Sequence, residues 1–163
     1  MIAGFDPLTV SEEQYTVPMV HEELVAGSLP WVRFNAAVES GKLKVKMPEE
    51  SSVLKVKESS RALGDVLYLS EADLHVLALA LELKNAGYSP SIVTDDFSIQ
   101  NVANQIGVDF ASLMTFGIRY RLYWILYCPA CHHKYPADYK IRKCKVCGTT
   151  LKRKPLAKQP IKQ

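Results

Sequence analysis

Residues 91–107 read S-I-V-T-D-D-F-S-I-Q-N-V-A-N-Q-I-G. A short apolar run, Ile92 and Val93, stops at Thr94 and passes into an amphipathic helix, a strand-to-helix junction. Two adjacent aspartates, Asp95 and Asp96, stand at that junction. One aspartate accounts for a helix cap, because its side-chain oxygen accepts from the orphan N–H groups of the first turn. The second calls for a separate reason.

Working outward, S-E-A-D-L-H-V-L-A-L-A-L-E-L-K-N-A-G-Y gives the clearest helix, with Ser70 as N-cap, acids behind it and an ending at residues 85–87. Upstream, P-M-V-H-E-E-L-V-A-G-S predicts a short helix with Pro18 near its start, and L-P-W-V-R-F-N-A-A-V-E-S-G another that ends at Gly41. L-K-V-K-M-P alternates as a strand, and E-E-S-S-V-L-K-V-K-E-S-S-R-A-L-G-D predicts a helix closing at Gly64. Residues 1–16 read as loop, and a short strand is expected over 108–110. Helices alternating with short apolar strands predict an α/β fold, a parallel sheet flanked by helices. Active sites in such sheets lie outside the carboxyl ends of the strands, where Asp95 and Asp96 stand.

Charge divides the chain unevenly. Residues 1–116 carry 8 Lys/Arg against 16 Asp/Glu, and residues 117–163 carry 12 Lys/Arg against the single acid Asp138. An acidic body joined to a strongly basic C-terminal part points to a polyanionic partner for the latter. With 163 residues, 48% of them hydrophobic and 23% charged, the composition is that of one ordinary globular core with a small appendage. The first twenty residues lack the pattern of a signal peptide, and the apolar runs V-L-A-L-A-L-E-L and L-Y-W-I-L-Y are too short to span a bilayer, so a cytoplasmic protein without membrane contact is expected.

All four cysteines lie in the basic part: Cys128, Cys131, Cys144 and Cys147, spaced C-x2-C, twelve residues, C-x2-C. Two such thiolate turns facing each other across a hairpin give tetrahedral all-sulfur ligation of Zn2+. Gly148 suits the second turn, and Lys143 and Lys145 beside Cys144 favour its thiolate. Disulfides are disfavoured in a cytoplasmic chain. A redox pair needs one C-x-x-C at a helix start rather than two in a basic loop. His132 and His133 are bystanders to a set already filled by sulfur. A closed four-cysteine site is structural, so chemistry belongs elsewhere. The expected division is an acidic α/β domain over 1–116, a linker or first ribbon strand over 117–127, a zinc ribbon over 128–152 and a disordered basic tail over 153–163.

Asp73 in the first turn of its helix, and Glu22 and Glu23 on the helix after Pro18, read one by one as surface acids. Taken together, Glu23, Asp73 and the Asp95/Asp96 pair stand at the mouths of elements bordering one sheet edge. Clustered carboxylates repel unless a cation neutralises them, and Mg2+ or Mn2+ takes such oxygens while keeping waters. In that reading one of the two aspartates caps the helix and the other faces a metal.

The order T-V-P-M-V-H-E-E-L, S-E-A-D-L-H-V-L-A-L-A-L-E-L and I-V-T-D-D-F-S-I-Q-N-V-A resembles a PIN-domain nuclease. Followed by the C-P-A-C…C-K-V-C-G ribbon, it is similar over essentially the whole chain to the archaeal form of the Nob (Nin-one-binding) family. The resemblance implies an endonuclease that matures the 3′ end of precursor small-subunit ribosomal RNA on the small ribosomal subunit, with assembly-factor proteins as partners. It implies four acidic positions holding Mg2+ or Mn2+. Glu23 matches the second, Asp73 the third and Asp96 the fourth, with Asp95 a helper or alternate. The family's first strand, ending in the first catalytic aspartate, precedes a turn like I-A-G-F-D-P at residues 2–7; here that strand and its aspartate are not present, and Asp6 lies too far along to stand in for it. Lys134, Lys140, Arg142, Lys143 and Lys145 are expected to meet RNA phosphates, and Tyr135 and Tyr139 either to stack on unpaired bases or to belong to the ribbon core. The alternatives are an RNA-binding assembly factor that does not cut and a toxin-type PIN ribonuclease acting on transfer RNA.

The ribbon has little apolar surface, so metal binding supplies most of its folding free energy. Cys144→Ser is therefore expected to unfold residues 128–151 while the acidic domain stays folded. Amide hydrogen exchange checks this, and unchanged protection in the ribbon after the substitution would refute the zinc assignment.

Overall fold

A computed structural model describes residues 5–114 and 117–161. The start of the I-A-G-F-D-P motif, the domain boundary at Phe116 and the last two residues of the expected tail lie outside the described residues. A 3-10 turn at Pro7–Thr9 leads into strand β1 (Gln14–Thr16), helices α1 (Pro18–Glu22) and α2 (Leu29–Glu39), and strand β2 (Leu43–Val45). Helix α3 (Glu50–Leu63), a second 3-10 turn at Val66–Tyr68, helix α4 (Glu71–Asn85), strand β3 (Ser91–Val93), helix α5 (Phe97–Ile106) and strand β4 (Asp109–Ala111) follow. The C-terminal part is all β, with β5 (Tyr120–Tyr127), β6 (Lys134–Tyr135) and β7 (Lys152–Pro160).

The α/β alternation is as expected, and both strand pairs of the acidic body are parallel. Among the described residues β1–β2 and β3–β4 form two separate sheets rather than one. β1 falls inside the stretch expected as loop. Its three residues, Gln-Tyr-Thr, are too few to set up a periodicity.

Helix ends follow their local chemistry. Ser70 and Asp73 close a reciprocal capping box on α4. At the far end of α5, Lys84 Nζ donates to the carbonyls of Ile106 (3.1 Å) and Gly107 (2.6 Å), placing a cation on the negative end of that helix. The main core lies between α3, α4 and α5, where Val56, Leu63, Leu77, Ala78, Val102 and Ala103 are fully buried. Among the described residues no helix is long and apolar enough to cross a membrane.

The expected disordered tail is instead strand β7, antiparallel to β5 from Tyr120↔Pro160 to Tyr127↔Lys152 with an irregularity at Tyr123/Trp124. Its composition offers little to bury, but its cations lie over rings of the neighbouring strand. Lys154 Nζ is 4.6 Å from the Tyr127 ring centroid and Lys158 Nζ is 5.1 Å from that of Tyr120. Long-range pairing thus overrides what local composition suggests.

β5 and β7 also bind the acidic body. Asp65, only 1% exposed, accepts from Asn101 Nδ2 (2.5 Å) and forms an ion pair with Arg153 of β7. The Arg153 guanidinium lies between two rings, 4.0 Å from the Tyr68 centroid and 3.9 Å from that of Trp124. Asn101 then treats Leu122 as a strand would: its Nδ2 donates to the Leu122 carbonyl and its Oδ1 accepts from the Leu122 N–H, both at 2.8 Å. Arg121 donates to Asn104 and Gln105 of α5. Gly64, at φ 81°, completes the contact: a Cβ there would come within 2.5 Å of Ala137 Cβ and 2.9 Å of the Trp124 carbonyl oxygen.

Removing one partner of a buried pair strands the other charge. Arg153→Met, which still fills the slot between the rings, is expected to cost about 3 kcal/mol, while Asp65→Asn with Arg153→Met recovers much of the loss. Denaturant unfolding of the two single variants and the double variant measures the coupling; strict additivity would show that the pair does not act as one. Gly64→Ala is expected to undock the ribbon without unfolding α3, read as raised proteolysis of residues 117–119.

Candidate active site and metal centre

The two cysteine turns are built alike. In each, the N–H four residues after the first cysteine donates to that cysteine's carbonyl, His132 to Cys128 and Gly148 to Cys144, both at 2.9 Å. Each first cysteine's N–H donates to the residue five places on, Cys128 to His133 (2.9 Å) and Cys144 to Thr149 (2.8 Å). A left-handed residue closes each turn, His132 at φ 61° and Gly148 at φ 75°. The result brings the four sulfurs within 4.8 Å of one another, with Cys128 and Cys147 3.4 Å apart and Cys131 and Cys144 3.5 Å apart.

Thiol electrostatics follow from that crowding. A hydrogen bond from the Tyr135 hydroxyl (3.1 Å) holds the Cys144 thiol down, to about 6. Bonding to Thr149 lowers Cys147 as well. Cys131 goes the other way: a backbone hydrogen bond at His133 lowers it, but burial and the sulfurs of Cys128, Cys144 and Cys147 outweigh that and push it up to about 12. Four sulfurs this close cannot all ionise without a cation, and a tetrahedral divalent ion with soft-ligand affinity fits the donor set. Cys128, Cys131, Cys144 and Cys147 are the residues that would hold Zn2+.

The acids are placed differently. Asp96 is the N-cap of α5, its Oδ1 accepting from the Ser98 N–H at 2.6 Å. Asp95 ties down the segment after β4, accepting from Ser112 Oγ and from the N–H groups of Leu113 (3.1 Å) and Met114 (3.0 Å). The pair at the opening junction therefore divides its work between a cap and a loop anchor. Asp73 spends Oδ2 on the Ser70 N–H at 2.8 Å. Glu23 is the exposed C-cap of α1. Asp6 caps the first 3-10 turn through the Leu8 N–H and lies 3.7 Å from Arg33. Among the described residues the cysteines are the sole group of three or more His, Cys, Asp or Glu ligands gathered this closely. Glu23, Asp73 and Asp96 thus do not form a closed three-carboxylate site here, although Asp73 and Asp96 each have a second carboxylate oxygen beyond the one used in capping.

Of the residues expected to meet RNA, Lys134, Lys140, Arg142, Lys143 and Lys145 are all exposed. Arg142 already donates to the Tyr68 hydroxyl at 3.2 Å. Tyr135 is 7% exposed, stacked 4.8 Å from the Tyr139 ring and bonded to Cys144 and the Lys145 N–H. It belongs to the ribbon core, because its hydroxyl is needed at the sulfurs, and is not available to stack on a base. Tyr139 packs on the same core and is half-buried.

Sequence reading passes over Asp65, Gln100, Asn101, Trp124 and Arg153. Gln100, fully buried, donates to the Thr94 carbonyl (2.8 Å) and accepts from the Ile118 N–H (3.0 Å), so it fixes the entry to β5. The available signal is the amide pattern of α5, Q-N-x-x-N-Q, whose polar groups recur one turn apart on a helix otherwise built for burial. Beside it opens a cleft of about 450 Å³ between α5, β5 and β7, with Asp96 and Ser98 on the α5 side and Trp124 and Arg153 opposite.

Residues 1–83 match the family model for the PIN domain of ribonuclease. The chain is 34% identical over 153 residues to the endoribonuclease Nob1 of Methanothermobacter thermautotrophicus, covering 94% of this chain and 87% of that one. It is 35% identical over 154 residues to the endoribonuclease Nob1 of Methanocaldococcus jannaschii, covering 94% and 73%. It is also 36% identical over 111 residues to the ribonuclease VapC1 of Thermoplasma acidophilum, covering 68% and 54%. Alignments of the first two lengths must run through both the acidic body and the cysteine ribbon, and the chain belongs to the Nob1 family of PIN-domain endoribonucleases.

Proposed function

We propose that the chain cleaves precursor small-subunit ribosomal RNA at its 3′ end in the cytoplasm, with the acidic body cutting and the basic C-terminal part holding the RNA. The observation that carries this reading is the cleft, which has the cap aspartate Asp96 on one side and the basic strand β7 on the other. Glu23, Asp73 and Asp96 are the residues that would hold Mn2+ or Mg2+. Such an ion, when bound, lowers the pKa of water and offsets charge on the leaving oxygen. The chain's own contribution is to fix the carboxylates: Asp73 and Asp96 are each clamped by a backbone N–H of their own helix start. Exposed Lys134, Lys140, Lys143 and Lys145 supply the phosphate contacts, and such contacts make affinity fall steeply with salt.

A second reading is favoured by the open arrangement of the three acids, namely an RNA-binding assembly factor that does not cut. The toxin-type alternative is less well supported, since the VapC1 alignment spans 54% of that protein.

Cleavage of a short RNA spanning the ribosomal RNA 3′ end, with and without Mn2+, separates these readings. Asparagine serves as an N-cap about as well as aspartate, and at position 73 it keeps a side-chain oxygen for the Ser70 N–H, so Asp96→Asn and Asp73→Asn are expected to leave melting temperature within a few degrees. Each should reduce Mn2+-dependent cleavage by about a hundredfold or more, the scale of losing a charge-stabilising group. RNA binding without any Mn2+-dependent product would leave the assembly-factor reading standing. Exchanging Lys143 and Lys145 for alanine should weaken RNA binding and flatten its salt dependence by about two phosphate contacts; an unchanged slope would remove the ribbon from the RNA interface.

A further inference from the structure

We infer that the cleft between α5, β5 and β7 is a stacking subsite for one unpaired nucleotide of the RNA, a reading that rests on the ribonuclease function proposed above. The cleft holds about 450 Å³, within the range of small-molecule sites. Its apolar lining comes from Phe97, Ile118, Tyr120 and Leu122. Two of these are exposed rings, Phe97 by 55% and Tyr120 by 45%. Exposed rings at the mouth of a cleft offer the flat apolar surface on which unpaired bases stack. Lys158 Nζ lies over one face of the Tyr120 ring, 5.1 Å from its centroid, so a base takes the opposite face with an ammonium group close by for its phosphate. Asp96, a proposed metal-holding acid, lines the same cleft, which puts the stacked nucleotide next to the bond to be cut.

The polar groups at the base of the cleft also define what the site does not do. Asn101 spends both amide donors and its carbonyl on Asp65 and Leu122. Asp65 accepts from Asn101 with one oxygen and from Arg153 with the other. Asn101 and Asp65 are thus committed to the fold and the remaining oxygen of Asp96 is assigned to the metal, so the subsite holds a base by its face. Its role is position: it fixes how far the scissile bond lies from an unpaired nucleotide without selecting which nucleotide that is.

The test uses the full chain without added Mn2+ and a single-stranded RNA of about twelve nucleotides, with 2-aminopurine moved through each position in turn. One position is expected to show strong quenching on binding. Tyr120→Leu should abolish that quenching and weaken binding about tenfold, the scale of one lost base–ring stack, whereas Tyr120→Phe should retain both. Phe97→Leu provides an independent exposed probe of the same wall. Retained quenching in the Tyr120→Leu/Phe97→Leu double variant overturns the subsite, as does a preference above about tenfold among the four bases at the quenched position, the scale of a hydrogen-bonded base read-out. Because the readout is binding, this failure is distinct from failure to cleave: a chain that cuts RNA normally with both rings replaced has lost the subsite and kept the function.

Discussion

Burial of Asp65 is the constraint on which the arrangement of the two parts depends. A carboxylate only 1% exposed loses its hydration, and that desolvation raises its pKa even though Asn101 and Arg153 both act in the opposite direction. It can be accommodated only where donors are brought to it. Asn101 comes from α5 and Arg153 from the far end of the chain, so satisfying one side chain forces the nuclease body, β5 and β7 into register. The apolar content of β7 could not do this alone. A basic strand is held here by rings and a buried acid in place of a hydrophobic face, which leaves Lys152 exposed and without a ring beneath it among the described residues.

This also explains which parts of the fold were legible in the sequence. The capping box at Ser70/Asp73, the glycine ends of α3 and α5 and the cysteine turns each close within about five residues, and their chemistry is written next to itself. The Asp65–Asn101 bond spans 36 positions and the Asp65–Arg153 pair 88, and nothing local marks them. A tail with two prolines and many charges satisfies every compositional test for disorder, and only the partner strand reveals it as β7. The place of Tyr135 is hard to read locally for a related reason. A tyrosine two residues beyond a pair of histidines in a basic loop looks exposed until the sulfurs it serves are placed around it.

The ribbon shows how one geometry is reached from unequal residues. Its two turns share their hydrogen bonds to within about 0.1 Å, yet one closes on Gly148 and the other on His132, both with positive φ. Glycine enters that region without steric cost, whereas a histidine there bears roughly 1 kcal/mol of strain. No contact within 4 Å of the Gly148 Cβ direction explains the difference, so the turn geometry itself, fixed by four sulfurs that must converge, imposes the left-handed residue in both places.

The same economy applies to the acids. A carboxylate has two oxygens, and a helix start asks for only one. When Asp73 and Asp96 cap α4 and α5, the backbone orients each side chain through a bond only two or three residues long, and the second oxygen is aimed with the stiffness of the helix behind it. Asp95 applies the complementary constraint, holding residues 112–114 against the carboxyl end of β3, so the loop bordering the acids is fixed as well. Two aspartates at one strand end are thus neither redundant caps nor simply a pair of ligands. One sets the direction of a carboxylate, and the other sets the wall beside it.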